Sequence, residues 1–234
     1  MIGVVAAMAA EARFLGTLRR GSNGLRVLPD DTLVSISGMG FNAAADGARS
    51  LVRGGATALV SWGLAGGLDP SLRAGTVLLP VRILCTGATD FPTSAGWRER
   101  LLELLTPQQG VIGGLVLSSP VAIDATERKR ELFRQTGAVA VDMESAAIAR
   151  VAAEHGLPFI ALRVIVDTAA DSLPTAVLAA STNGEVSVAR LIEELIRAPS
   201  QLMPLLRLVQ RYTAAKHSLR AIAPILRRVD PLLA

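Results

Sequence analysis

The sequence predicts an α/β chain built on a largely parallel sheet. Three observations predict it. Apolar runs of strand length alternate with segments of helical period along residues 1–197. Half of the 234 residues are apolar while only 3% are aromatic, a balance rich in Ala, Leu, Val and Gly that suits close packing of helices on a sheet. Glycines and polar residues also collect where the apolar runs end, the place where open α/β sheets bind ligands.

Strands are expected at 2–7 (IGVVAA), 32–37 (TLVSIS), 57–62 (TALVSW), 76–84 (TVLLPVRIL), 111–117 (VIGGLVL), 138–141 (AVAV) and 159–166 (FIALRVIV). Helical periodicity falls near 42–53, 96–105, 125–136, 143–155 and 185–197. Asp124, with Glu127 three residues on, predicts a capped helix start. His155-Gly156-Leu157-Pro158 predicts a helix stop. Beyond Pro199 the pattern becomes one or two amphipathic helices broken near Pro204 and Pro224. The expected division is a catalytic domain at 1–198 and a basic amphipathic extension at 199–234.

Composition excludes several classes. One cysteine, Cys85, allows no disulfide framework and points to a reducing cytoplasm. His155 and His217 are far apart, and no Cys/His cluster has metal-ligand spacing, so no metal or cofactor is expected. Glu11 and Arg13 interrupt the apolar N-terminus, which predicts a first strand rather than a signal peptide. No stretch offers the roughly 18 uncharged apolar residues of a spanning helix. Arg207, Arg211, Lys216, Arg220, Arg227 and Arg228 face only Asp230 in the tail, so the net charge of +4 belongs there and nucleic-acid binding by the body has no support.

The strand ends carry Glu11, SGMGFN (37–42), WGLAGGLDP (62–70), SSPVAID (118–124), VDMES (141–145) and RVIVDTAAD (163–171). Glu144 falls in the first turn of its helix, where the helix dipole favours an anion by about 0.3–1 kcal/mol. Capping and dipole pairing alone would account for Asp142 and Glu144. Asp167 stands at the mouth of an apolar strand, as a turn former or as a functional acid. Arg163, inside that strand, requires an acid partner such as Glu144 or Glu11, because burying it unpaired costs several kcal/mol. The glycine stretches permit close backbone approach to a ligand, but neither a dinucleotide fingerprint nor a Walker pattern is present.

Taken in order, AAMAAEARFL, SGMGFNAAADGA, GLAGGLDPSLRAGTVLLP, GAVAVDMESAAIARVA and LPFIALRVIVDTAAD resemble the nucleoside phosphorylase/nucleosidase superfamily, and most of all its methylthioadenosine/S-adenosylhomocysteine nucleosidases. The resemblance covers about residues 1–197 and implies a three-layer fold, a mostly parallel mixed sheet flanked by helices. It implies that Asp167 protonates N7 of a leaving purine and that Glu11, with Arg163 nearby, positions and deprotonates the attacking water. It further implies that Glu144 binds the ribose hydroxyls, that Met143 packs on the sugar, and that backbone at Ala65, Gly66, Val121 and Ala122 lines the base, while Asp142 is left as a helix cap or as a supporting partner for Arg163 or the water. Relatives are commonly dimers or higher homo-oligomers.

Those residue types fit the chemistry. An N-glycosidic bond breaks through an oxocarbenium-like sugar, which anions beneath the ring stabilise. A purine leaves readily only when protonated, which calls for an acid whose pKa is raised by a partly apolar setting such as Val166. The block VSWGLAGG has Ser61 but no arginine, and Leu64 where phosphorylases carry a hydroxyl, so hydrolysis is favoured over phosphorolysis. Val166 before the acid, Val121 in place of an aromatic residue, the altered segment 171–187 and the basic tail depart from the methylthioadenosine enzymes. They resemble the hopanoid-associated branch, which implies removal of adenine from adenosylhopane and membrane-surface contact through 200–228. A small-nucleoside nucleosidase or phosphorylase is the alternative. The expected location is cytoplasmic, at the inner face of the membrane if the lipid reading holds.

Overall fold

The computed structural model describes residues 1–85, 90–105, 110–172, 181–182, 185–186, 202–229 and 231. In chain order its strands are β1 (Ile2–Ala6), β2 (Arg19–Arg20), β3 (Arg26–Val27), β4 (Leu33–Ile36), β5 (Ala58–Gly67), β6 (Val77–Leu78), β7 (Arg82–Cys85), β8 (Phe91–Pro92), β9 (Val111–Ile112), β10 (Leu115–Ser118), β11 (Ala140–Asp142), β12 (Phe159–Asp167), β13 (Ser181–Thr182) and β14 (Glu185–Val186). The helices are α1 (Ala9–Ala12), α2 (Phe41–Arg53), α3 (Ala95–Leu104), α4 (Thr126–Thr136), α5 (Ser145–Glu154) and α6 (Leu202–Leu226).

All strands but the last two form one mixed sheet in which β4, β1, β5 and β12 run parallel through the centre. Strand alternation sorts the side chains of β12 onto two faces. Phe159, Ala161 and Ile165 join the core beneath α2 and α5, whereas Ile160, Leu162 and Val164 join the core beneath α3 and α6. Small residues set the first layer: Ala44, Ala45 and Ala48 of α2 and Ala146, Ala147 and Ala149 of α5 are buried together. The three-layer α/β expectation is therefore met. Arg163 has the parity of Ala161, which sends its guanidinium into the α2/α5 side of the sheet.

The sheet's central strand is longer than its apolar run. Expected over 57–62, β5 continues to Gly67 because new partners take over: β12 along residues 59–66 and antiparallel β11 at Gly66 and Gly67. Gly66 pairs with Asp167 on one side and Val141 on the other, so β11 lies on the edge of β5 that β1 follows from Ala58 to Trp62. Residues 63–65 lie between the end of β1 and the start of β11. The runs at 76–84 and 111–117 are each two short strands, separated by Pro80 and by Gly113-Gly114 respectively.

Other boundaries shift for local reasons. The helix expected from 125 begins at Thr126 with Ala125 as its cap residue, and Asp124 does not cap it. The stop at His155-Gly156 is as expected. Glu185 and Val186, expected to open a helix, form β14, while 187–197 lie outside the described residues. Among the described residues the C-terminal segment carries one continuous helix, α6, which holds Pro204 in its first turn and passes through Pro224, so neither proline breaks it. It buries Ala215, Leu219, Ile222, Ala223 and Leu226, a stripe at helical spacing, against the sheet.

Candidate active site

A cavity of about 290 Å3 opens at the carboxyl ends of β1, β5 and β12. Asp167, Glu11, Glu144, Met143, Ala65, Gly66, Val121 and Ala122, the residues expected to meet substrate, all line it. Ala7, Met8, Met39, Leu64, Ile123, Val141, Asp142 and Val166 complete the wall. No Arg or Lys stands among the described lining residues. Arg163 does not line the cavity either; it is buried behind it.

Glu11 reaches the site because α1 follows β1 at once. Its two carboxylate oxygens take the backbone N–H groups of Met8 (3.0 Å) and Leu64 (2.9 Å), the latter in the interval of β5 between β1 and β11. Burial pushes its pKa up, the Arg163 charge opposes this, and Glu144 adds to it. Tyr212 of α6 stands close enough that, after burial, the Glu11 carboxylate raises its phenol as well.

The VDMES stretch divides its labour. Asp142, at the end of β11, accepts the backbone N–H of Glu144 (3.3 Å) and Ser145 (3.2 Å) and so ties down the start of α5. The same carboxylate accepts Ser118 Oγ (2.8 Å) and Ser145 Oγ, and pairs with Arg163 Nε at 2.8 Å. It is both cap and arginine partner. Glu144 and Glu11 were the acids expected first for Arg163, with Asp142 as a supporting partner. Asp142 takes the first place, Glu144 sits at 3.5 Å from Nη2, and Glu11 acts on Arg163 through its field. Burial disfavours the guanidinium charge most strongly, yet Asp142, Glu144 and Glu11 together outweigh it and hold Arg163 above its ordinary range. Ser61, the hydroxyl weighed for phosphate binding, is fully buried and accepts Arg163 Nη2 at 2.7 Å.

Glu144 turns toward the cavity instead. One oxygen accepts the Gly40 N–H (3.0 Å), so the SGMGFN stretch and the VDMES stretch meet here. Burial raises its pKa, Arg163 opposes and Asp142 reinforces the rise. Val121 is an exposed rim residue whose backbone N–H and C=O are both engaged by the Ser119 hydroxyl. Its contribution to the wall is therefore its side chain rather than free backbone donors.

Asp167 closes β12 after a register shift against β5. Burial raises its pKa as expected, Asp171 adds to the rise, and a cation opposes it. That cation is Lys129 of α4, wholly buried and paired with Asp167 Oδ2. Lys129 sits in ATERKRELF, which has the composition of a solvated helix face. The available signal was its spacing: Lys129 precedes buried Leu132 by three residues and so shares its inward stripe.

A profile of the phosphorylase superfamily matches residues 29–197. The chain belongs to the phosphorylase superfamily. Among superfamily members, it is 43% identical over 54 residues to the 5'-methylthioadenosine/S-adenosylhomocysteine nucleosidase of Thermotoga maritima, a match covering 23% of this chain and 25% of that one. It is 31% identical over 152 residues to the nucleosidase of the same name from Baumannia cicadellinicola, covering 57% of this chain and 66% of that one. The chain thus spans a quarter and just under two thirds of these relatives. The crystal structure of the Neisseria meningitidis nucleosidase in complex with methylthio-immucillin-A has the same fold, with a TM-score of 0.71 at 20% identity over 97% of this chain and 99% of that one. No group of three or more His, Cys, Asp or Glu that could hold a metal is found among the described residues.

Proposed function

We propose that this chain is a purine nucleosidase that hydrolyses the N-glycosidic bond of an adenosine-type nucleoside and releases adenine. The observation that carries the reading is a mostly apolar cavity into which Asp167, Glu11 and Glu144 converge, with no cation in its described lining. A dianionic phosphate nucleophile needs a cationic clamp, whereas water needs only a base. In this reading Glu11 takes a proton from the attacking water, its raised pKa bringing it toward the working range of a general base. Glu144 holds the ribose hydroxyls, Met143 packs on the sugar and Asp167 protonates the base at N7. Arg163 fixes the anionic floor from behind. The names of the relatives support the reaction class.

The finer proposal is that the nucleoside is lipid-linked, with adenosylhopane giving ribosylhopane. Met39 and Val121 leave an apolar rim 44% and 62% exposed at the cavity mouth, which suits an apolar substituent or a second subunit of a homo-oligomer. On α6, Leu206 and Val209 are exposed beside the exposed Arg207, a face suited to an anionic membrane surface, while Arg211 pairs with Asp171 of the body. No helix among the described residues is long and apolar enough to cross a membrane. In this reading residues 1–198 carry the chemistry, and the membrane contact runs through 200–228 of the extension at 199–234. A second reading, a nucleosidase for methylthioadenosine, is favoured by the names of the relatives.

The test is release of the free base, adenine from adenosylhopane and methylthioadenosine and hypoxanthine from inosine, each with and without phosphate. Phosphate-independent release with free ribose ends is expected. Release that requires phosphate and yields a ribose 1-phosphate overturns the hydrolase assignment. Activity on methylthioadenosine with none on the hopanoid overturns the lipid assignment.

A further inference from the structure

The least expected group near the cavity is a lysine with no contact to solvent. Lys129 is 0% exposed and does not line the cavity, so its ammonium meets Asp167 from the far side. Its three N–H donors have three acceptors: Asp167 Oδ2, the Thr168 carbonyl at 3.0 Å and the Asp171 carbonyl at 2.7 Å. Three acceptors and no donor suit the charged form. The Asp171 carboxylate is otherwise occupied. One oxygen accepts Thr168 N (3.0 Å) and Oγ1 (2.7 Å), and the other pairs with Arg211 of α6 at 2.6 Å. Lys129 therefore spends its charge on Asp167, while Arg211 braces the loop from outside.

We infer that Lys129 is a positioning residue that clamps Asp167 and balances the charge Asp167 acquires when it gives its proton to the leaving base; this rests on the nucleosidase reading above. With Oδ2 held by the ammonium, Oδ1 is the oxygen left for the purine. As the C1'–N9 bond breaks, its electron pair passes to the base and the Asp167 proton passes to N7. Water adds at C1' and its proton goes to Glu11. Asp167 ends the step as a carboxylate beside an ammonium already in place, so the new charge requires no rearrangement. A lysine that served only to cap the Thr168–Asp171 turn would leave the proton affinity of Asp167 outside its role. Charged groups around Asp167 are Lys129 from α4, Asp171 on its own loop with Arg211 behind it, and Glu11 and Glu144 elsewhere on the cavity wall.

The experiment compares wild type with Lys129→Gln, which keeps polar donors for the two carbonyls but removes the charge, and with Lys129→Arg, which keeps the charge. Adenine release from methylthioadenosine is followed from acid to alkaline pH. The carboxyl-carbon resonance of Asp167, assigned by its loss in Asp167→Asn, is titrated by NMR. Lys129 lowers the Asp167 pKa against burial, so its removal keeps the acid protonated to higher pH. For Lys129→Gln we expect kcat to fall about 100-fold with KM within about threefold, and both the alkaline limb of kcat/KM and the Asp167 titration to move to higher pH. Lys129→Arg should return both toward wild type. A limb and resonance that titrate as in wild type, or that move to lower pH, overturn the inference. A wild type that releases the free base from none of the three nucleosides overturns the nucleosidase reading instead, and the NMR titration still decides the clamp.

Discussion

Gly63→Ala places one methyl group where the site has no room for it. Gly63 has φ +148°, and a Cβ built there would lie 2.5 Å from Glu11 Oε1 and 2.9 Å from Arg163 Nη1. Neither neighbour yields easily. Glu11 is held by two backbone N–H groups, and Arg163 by Asp142, Ser61 and Ser145. Moving the carboxylate forfeits a hydrogen bond to a charged group, about 1.5–3 kcal/mol, and a side chain at this φ adds about 1–3 kcal/mol of backbone strain. The substitution should therefore cost about 3–5 kcal/mol, a large part of the 5–15 kcal/mol typical of a domain. A displacement of about 1 Å in a positioning group commonly lowers turnover about 100-fold. Urea denaturation measures the first effect and adenine release the second. Gly137→Ala is the control: its φ is +66° but nothing lies within 4 Å, so only strain of about 1–2 kcal/mol applies and turnover should be unchanged. A Gly63→Ala protein as stable as Gly137→Ala, with turnover intact, would refute the packing argument.

Asp167→Asn removes the transferable proton and should lower kcat about 1000-fold while substrate binding, measured by calorimetry, is largely kept; wild-type turnover would strip Asp167 of its role as acid. Glu11 has a folded pKa raised above its ordinary 4.5, so its burial favours folding at low pH and that advantage is lost as pH rises through the folded value. Glu11→Gln should consequently gain stability relative to wild type as pH is raised from about 4.5, read as the difference between urea midpoints; a flat difference is the contrary result. Leu219→Ala, at a fully buried position of α6, should cost about 2–5 kcal/mol. A loss below 1 kcal/mol would mean that α6 is not part of the core.

The legible parts of the molecule were those whose signal is local. The nearly continuous apolar run FIALRVIV and the small-residue period of α5 located β12 and its neighbour, and the strand-end residues Glu11, Glu144 and Asp167 all reached one cavity. What escaped depends on partners distant in sequence. β5 runs on through WGLAGG because β11 and β12 supply hydrogen bonds that glycines do not advertise. Lys129 looks solvated within RKR until its helix packs beneath Asp167. Asp142 stayed divided between helix cap and partner of Arg163, because only the packing of a strand 21 residues later shows that it serves both.

The handover along β5 has a mechanical consequence. One edge of that strand is shared by two partners, β1 below and β11 above, and Glu11 fills the interval with its bond to Leu64. The three carboxylates consequently belong to three separately anchored branches: Glu11 rides on β1, Glu144 on β11 and Asp167 on β12. A ligand that touches all three acts as a rivet across a seam in the sheet. By linkage, at a concentration 100 times its Kd such a ligand adds about 2.7 kcal/mol, and hydrogen exchange should slow first at Leu64 and Gly66, where the seam lies.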